Sequence, residues 1–133
     1  MTAKPQPQPT PLTEPYWAAA SQGKLSLQRC TACAVWHHFP VPRCTSCGSD
    51  ALTFEPVSGH GTVETFTIVH RSFAPGFTGA PYAMAWIALP EQAGLRVFAN
   101  VTDCLPETVT IGMKVTVWFE QRGDFALPNF RPA

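Results

Sequence analysis

CTACAVWHHFPVPRCTSCG, residues 30–48, is the stretch whose reading decides the fold. It holds two C-x-x-C pairs, Cys30 with Cys33 and Cys44 with Cys47, separated by ten residues. Each pair can sit on a tight turn whose backbone N–H groups point at the thiolates, so that two sulfurs converge on one cation. Two such turns face to face make a tetrahedral four-sulfur site, the preferred geometry of closed structural zinc. Gly48 follows the second pair and supplies the positive φ such a turn needs. A redox C-x-x-C does not need duplicating, and disulfides are weak in the cytoplasm. An iron or iron–sulfur centre is the alternative to zinc. Four thiolates leave no open position for water, so the site reads as a staple and not as a catalytic metal. His37 and His38 lie between the pairs and read as surface or packing histidines, because four sulfurs already suffice.

Around this stretch the chain is 133 residues long, enough for one domain or one compact domain with a small appendage. Nine Lys and Arg balance nine Asp and Glu, and charged residues make up only 14%, against roughly 25% in an ordinary soluble domain. Hydrophobic residues reach 45%, with nine Phe, four Trp and two Tyr, so a core can form. The basic residues are scattered, and the electrostatic footprint of a nucleic-acid binder is missing. A low-charge surface with spare aromatics implies cover by a partner. No apolar run approaches the roughly 20 residues of a membrane span. The N-terminal MTAKPQPQPTPLTEP lacks the basic and apolar regions of a signal peptide, so the expected address is cytoplasmic.

Residues 1–15 carry five of the fourteen prolines and read as a disordered, polyproline-rich tail. Residues 16–55 hold a short helix, Tyr16–Gly23, and the metal ribbon, with Leu25–Arg29 and Trp36–Phe39 as its hairpin. Residues 56–133 turn to short β segments cut by Gly and Pro. Gly61–Arg71 mixes apolar and polar residues on both faces, as a bent strand shared by two halves of a barrel does. Pro81–Leu89 is apolar on both faces. Leu95–Val101 and Lys114–Gln121 alternate cleanly, and Asp124–Phe130 is the last strand. The result is a mostly β chain ending in a five-stranded OB-fold barrel, with a long link (103–113) after the third strand. A β-sandwich would need more strands than remain.

The chain resembles the DUF35 family. The resemblance rests on the Tyr16-Trp17 helix, the first C-x-x-C, Pro42-Arg43 and the second C-x-x-C-G-S. It continues through Gly59-His60-Gly61, Glu64-Thr65-Phe66-Thr67, His70-Arg71 and Pro81-Tyr82. It ends in Ile111-Gly112-Met113-Lys114-Val115 and Pro128-Asn129-Phe130. Many relatives have two more residues between the proline-arginine element and the third cysteine, which predicts a tighter second knuckle here. The resemblance implies a rubredoxin-like zinc ribbon joined to an OB-fold. It also implies a non-catalytic subunit working beside a thiolase-fold enzyme: a thiolase, an acyltransferase or a steroid side-chain aldolase. Zn2+ would be structural, one per chain, and an acyl-CoA thioester would be shared with the partner. Because OB-folds also bind single-stranded nucleic acid, that is the alternative function, argued against by the missing positive groove.

Candidate sites beyond the cysteines follow from this. The unpaired Cys104 sits beside Asp103, with His60 or His70 as conceivable bases, but no elbow or helix N-terminus assembles a nucleophile. No catalytic residue is therefore assigned. Coenzyme A would need cations for its phosphates, for which Arg71, Arg96 and Arg122 are candidates. It would also need an apolar slot for pantetheine, for which Phe73, Phe77 and Tyr82 are candidates. For the partner interface the candidates are Trp86, Phe98 and Trp118. Phe98 and Trp118 lie opposite the aliphatic faces of their strands and point outward if those faces line the core. The side taken by Trp86 is open, since both faces of its strand are apolar.

Overall fold

A computed structural model describes residues 3–133. Helix α1 (Glu14–Ala20) opens with Glu14 and with Pro15 in its first turn, where a missing N–H costs nothing. Its end is capped at Gly23, with φ 76°. The Gly23 N–H donates to the Ala20 carbonyl at 2.9 Å and the Lys24 N–H to that of Ala19 at 3.0 Å. Gly23 thus closes the helix end as a left-handed glycine cap, as expected. The helix begins at Glu14, however, two residues before the expected Tyr16, and its last helical residue is Ala20.

A three-stranded antiparallel sheet follows. Strand β1 (Ser26–Cys30) lies between β2 (Trp36–His37) and β3 (Leu52–Pro56). The third strand is additional to the hairpin read from sequence. The barrel is built from β4 (His60–Val69), β5 (Tyr82–Ala88), β6 (Arg96–Val101), β7 (Lys114–Arg122) and β8 (Phe125–Pro132), closed in the order β4-β5-β6-β8-β7. Strand β4 pairs with β7 at His60–Thr62 and with β5 from Thr62 to Val69, with a register shift between Val63 and Thr65. That bulge bends one long strand into both halves of the barrel, as its mixed pattern predicts.

Alternation fixes which faces are inside. Ala83, Ala85 and Ile87 of β5 are fully buried, as are Val97 and Val101 of β6 to within a few per cent, and Phe130 is fully buried in the same apolar cluster. Ribbon and barrel share this core, because Leu25, Leu27 and Trp36 belong to the same apolar cluster as Ile87, Val97 and Phe130. A side chain in the β5–β6 turn completes the junction. The Gln92 Oε1 accepts from the Trp36 N–H at 2.9 Å, and its Nε2 donates to the Trp36 carbonyl at 3.1 Å. The amide pairs both backbone groups of one β2 residue, as a neighbouring strand would. Beside it, Glu91 Oε2 accepts from the Ser58 N–H at 2.8 Å. Replacing Gln92 with Ala leaves two partly buried backbone groups unpaired. It is expected to cost about 2 kcal/mol in urea unfolding.

The N-terminal segment departs from the expectation of a tail that does not pack. Lys4 reaches Glu120 at 2.8 Å, and the Pro5 carbonyl accepts from Arg122 at 3.2 Å. Its alternating prolines hold it extended before it docks, so less chain entropy is lost on docking. No helix is long and apolar enough to cross a membrane.

Candidate metal centre and docking surface

The two knuckles are built alike. In the first, the Ala34 N–H donates to the Cys30 carbonyl at 2.8 Å and the Cys30 N–H to that of Val35 at 2.9 Å. In the second, the Gly48 N–H donates to Cys44 at 2.9 Å and the Cys44 N–H to Ser49 at 2.8 Å. The two knuckles thus share one hydrogen-bond pattern. Gly48 has φ 79°, as expected, and Ala34 occupies the matching place at φ 68°. A Cβ in that region costs roughly 1–2 kcal/mol, which the closed ligand set must offset.

The four Sγ atoms lie within 4.8 Å of one another, with Cys30 to Cys47 and Cys33 to Cys44 both at 3.6 Å. A tetrahedron with Zn–S bonds of about 2.3 Å has sulfurs about 3.8 Å apart, so the residues present fit the ion. Burial works against the Cys30 and Cys44 thiolates. Yet the N–H groups of Cys33 and Ala32, and of Cys47 and Ser46, bring both down, Cys44 to about 6. The N–H groups of Val35 and Ser49 favour ionisation of Cys33 and Cys47. Neighbouring sulfurs and desolvation nevertheless hold the protons there, with Cys47 pushed up to about 12. Four sulfurs this close do not all ionise against one another unaided; a dication is the charge that lets them. His37, read from sequence as a packing residue, does more than pack. It is buried, with Nε2 3.3 Å from Cys44 Sγ, where an imidazole N–H donates to the thiolate.

His38 faces the other way. It stacks on Tyr16 at 5.8 Å between ring centroids, and burial lowers its pKa to about 4. Its folded value lies below the ordinary 6.5, so the unfolded chain binds the extra proton. The stability that comes from keeping the ring neutral is complete above pH 6.5 and is lost as pH falls towards 4. That loss is about 3 kcal/mol at most. Urea midpoints measured between pH 7 and 4 should fall less steeply in His38→Gln than in the parent.

Of the interface candidates, Trp86 and Phe98 are brought together. They are directly opposed across β5 and β6, with ring centroids 5.0 Å apart, and both point out of the barrel. The Arg96 guanidinium lies 4.7 Å over Trp86. Trp118 does not join them. Its indole N–H donates to Thr102 Oγ1 at 2.7 Å, and Arg131 covers its ring at 5.5 Å. Strand β8 lies between β6 and β7 in the barrel and keeps Trp118 away from the pair, so the expected outward pairing of Trp118 with Phe98 is not formed. Sequence reading missed the ribbon's share of this surface. Phe39 is 70% exposed and Phe98 49%, and with Tyr16, Trp17, His38 and Leu127 they line an apolar groove of about 240 Å³. The pattern "HHFP" just before the second knuckle was the available signal.

The coenzyme A candidates fall into three places. Phe77 and Tyr82 are 5.4 Å apart, with Arg122 5.2 Å from the Phe77 ring, whereas Arg71 lies over the exposed Phe73 at 5.5 Å. Arg96 is on the Trp86 face, paired with Glu64 at 2.7 Å. Cys104 is half-buried, and Asp103 pairs with Arg131 at 3.2 Å. Among the described residues no hydrogen bond joins Cys104 to His60 or His70.

Two family models match. Residues 17–53 match the rubredoxin-like zinc ribbon domain of ChsH2, and residues 54–120 match the ChsH2 C-terminal OB-fold domain. A probable enoyl-CoA hydratase alpha subunit of Thermomonospora curvata is 36% identical over 119 residues, covering 89% of this chain and 36% of that protein. A 3-oxo-4,17-pregnadiene-20-carboxyl-CoA hydratase alpha subunit of Mycobacterium tuberculosis is 30% identical, covering 88% of this chain and 36% of that protein. The chain thus spans about a third of the length of these curated relatives. A DUF35 domain-containing scaffold protein of Methanocaldococcus jannaschii is 35% identical, covering 70% of this chain and 65% of that protein. A solved Ltp2-ChsH2(DUF35) aldolase structure superposes with a TM-score of 0.88 at 32% identity, covering 96% of this chain and 98% of that one.

Proposed function

The chain belongs to the DUF35 family, and from that membership we propose that it is a non-catalytic, zinc-stapled subunit of a thiolase-fold enzyme that acts on acyl-CoA thioesters. The observation that carries this reading is the end-to-end likeness to the DUF35 chain of an aldolase whose name couples it to Ltp2. The relatives named as CoA hydratase alpha subunits support a CoA substrate. The chain's own residues fit the supporting role. Its four-thiolate centre has no open position, and Cys104 has no base bonded to it among the described residues. The partner's residues then carry the bond-making chemistry, while this chain binds and orients. The groove from Phe39 to Phe98, continued by Trp86, is the docking face. Arg71 and Phe73, with Phe77 further along the same loop and Tyr82 at the start of β5, are the candidates for meeting the CoA arm.

Nucleic acid is disfavoured by where the cations point. Five of the nine basic residues, Lys4, Arg29, Arg96, Arg122 and Arg131, are paired with carboxylates. Such a surface has no continuous positive groove.

The test is reconstitution. The purified chain alone should show no thiolysis, retro-aldol or hydrolytic turnover of acyl-CoA. Mixed with a thiolase-fold partner, it should co-elute on size exclusion and restore turnover. Turnover by the isolated chain that disappears in Cys104→Ala would reject the proposal.

A further inference from the structure

The segment Ala3–Gln6 crosses the barrel between two glycines, pressing its backbone on Gly76 and the end of its Gln6 side chain on Gly123. A Cβ on Gly76 would fall 2.6 Å from Lys4 Cα, and one on Gly123 would fall 2.8 Å from Gln6 Cδ. Between these points the segment is held by specific groups. Lys4 Nζ is 2.8 Å from Glu120 Oε2 and 4.6 Å from the centre of the Phe77 ring. Arg122 holds the other Glu120 oxygen at 2.7 Å and donates to the Pro5 carbonyl at 3.2 Å. A carboxylate, a ring face and a guanidinium thus read an ammonium and the carbonyl that follows it. Beneath lies a cavity of about 140 Å³ that Lys4 lines together with Tyr82, Asn100, Thr102 and Asn129.

Nothing in Ala3–Gln6 enters the core. Lys4 is half-buried and its neighbours are exposed. One ion pair, one hydrogen bond and one ring contact are set against the entropy of ordering the segment, so docked and released forms lie close in free energy. We propose that the channel from Gly76 to Gly123 is a receptor for an extended lysine–proline segment. Residues 3–6 are its tethered and exchangeable occupant, a strap that covers the Tyr82–Asn129 cavity when docked and opens it on release. This stands whether or not the chain meets an acyl-CoA.

NMR on the full chain tests it. With the strap docked, the Lys4 side-chain methylenes lie near the Phe77 ring and resonate upfield of random-coil positions. In Glu120→Gln they should return to those positions while the core resonances stay put. In full-length Lys4→Gln the receptor is left without its ammonium. An N-acetylated synthetic peptide of residues 3–10 should then bind in trans, shifting the Phe77 and Gly123 amides saturably. The parent chain should need roughly twofold more peptide, because its own tether, docked and released in comparable amounts, competes as the same ligand. Lys4 resonances at random-coil positions in the parent would overturn the proposal. So would a peptide response that is absent in Lys4→Gln, or that survives unchanged in Lys4→Gln/Glu120→Gln.

Discussion

A Cys44→Ser variant is expected to lose its zinc and unfold the ribbon, whereas the parent carries close to one zinc per chain. Cys44 is 3% exposed and accepts from His37, so serine leaves a buried donor without its thiolate as well as an incomplete ligand set. Structural zinc sites in small peptides contribute on the order of 10 kcal/mol. That exceeds what a ribbon with two short edge strands recovers from packing alone. The damage should not stop at the ribbon, because Leu25, Leu27 and Trp36 are shared with the barrel core. Metal analysis with thermal melting checks this, with Cys104→Ser as the control that keeps its metal. A metal-free chain with a full melting transition would refute the zinc assignment.

Truncating Trp86 and Phe98 together is the second large effect. On the proposed docking face these two rings are the paired aromatics, and aromatic residues at interface centres commonly cost about 2 kcal/mol or more each. The double alanine variant should weaken assembly by about 4 kcal/mol, roughly a thousandfold in Kd, with zinc content and melting nearly unchanged. Trp118→Ala should do the reverse, lowering the melting temperature while leaving the Kd in place, because its indole is tied to Thr102 within the barrel. Titration calorimetry with the partner distinguishes the two, and a double variant that assembles normally would place the interface elsewhere.

The parts of this structure that follow local rules were legible in the sequence. Doubled C-x-x-C spacing brings four sulfurs together through two identical turns. Leu95–Val101 alternates, and its aliphatic face is inside. What was not legible depended on side chains meeting at long range. Leu52–Pro56 is short and ends in proline, and it becomes a strand only because β1 offers it a paired edge. Trp86 sits in a strand apolar on both faces, so periodicity could not orient it; burial of Ala85 and Ile87 does. Proline content read the N-terminal segment as unpacked, but Glu120 and Arg122, more than a hundred residues away, give it a seat.

The Gln92 amide also bears on how copies of this protein stay apart. A sheet edge with free N–H and C=O groups is a template on which another chain can add a strand. On the β2 side of the ribbon sheet the edge strand is only two residues long, and a side chain from the barrel already pairs both backbone groups of Trp36. Loss of that amide would cost folding free energy and also turn the rim of the ribbon into a surface where a second molecule can pair, so aggregation should accompany destabilisation at this one position.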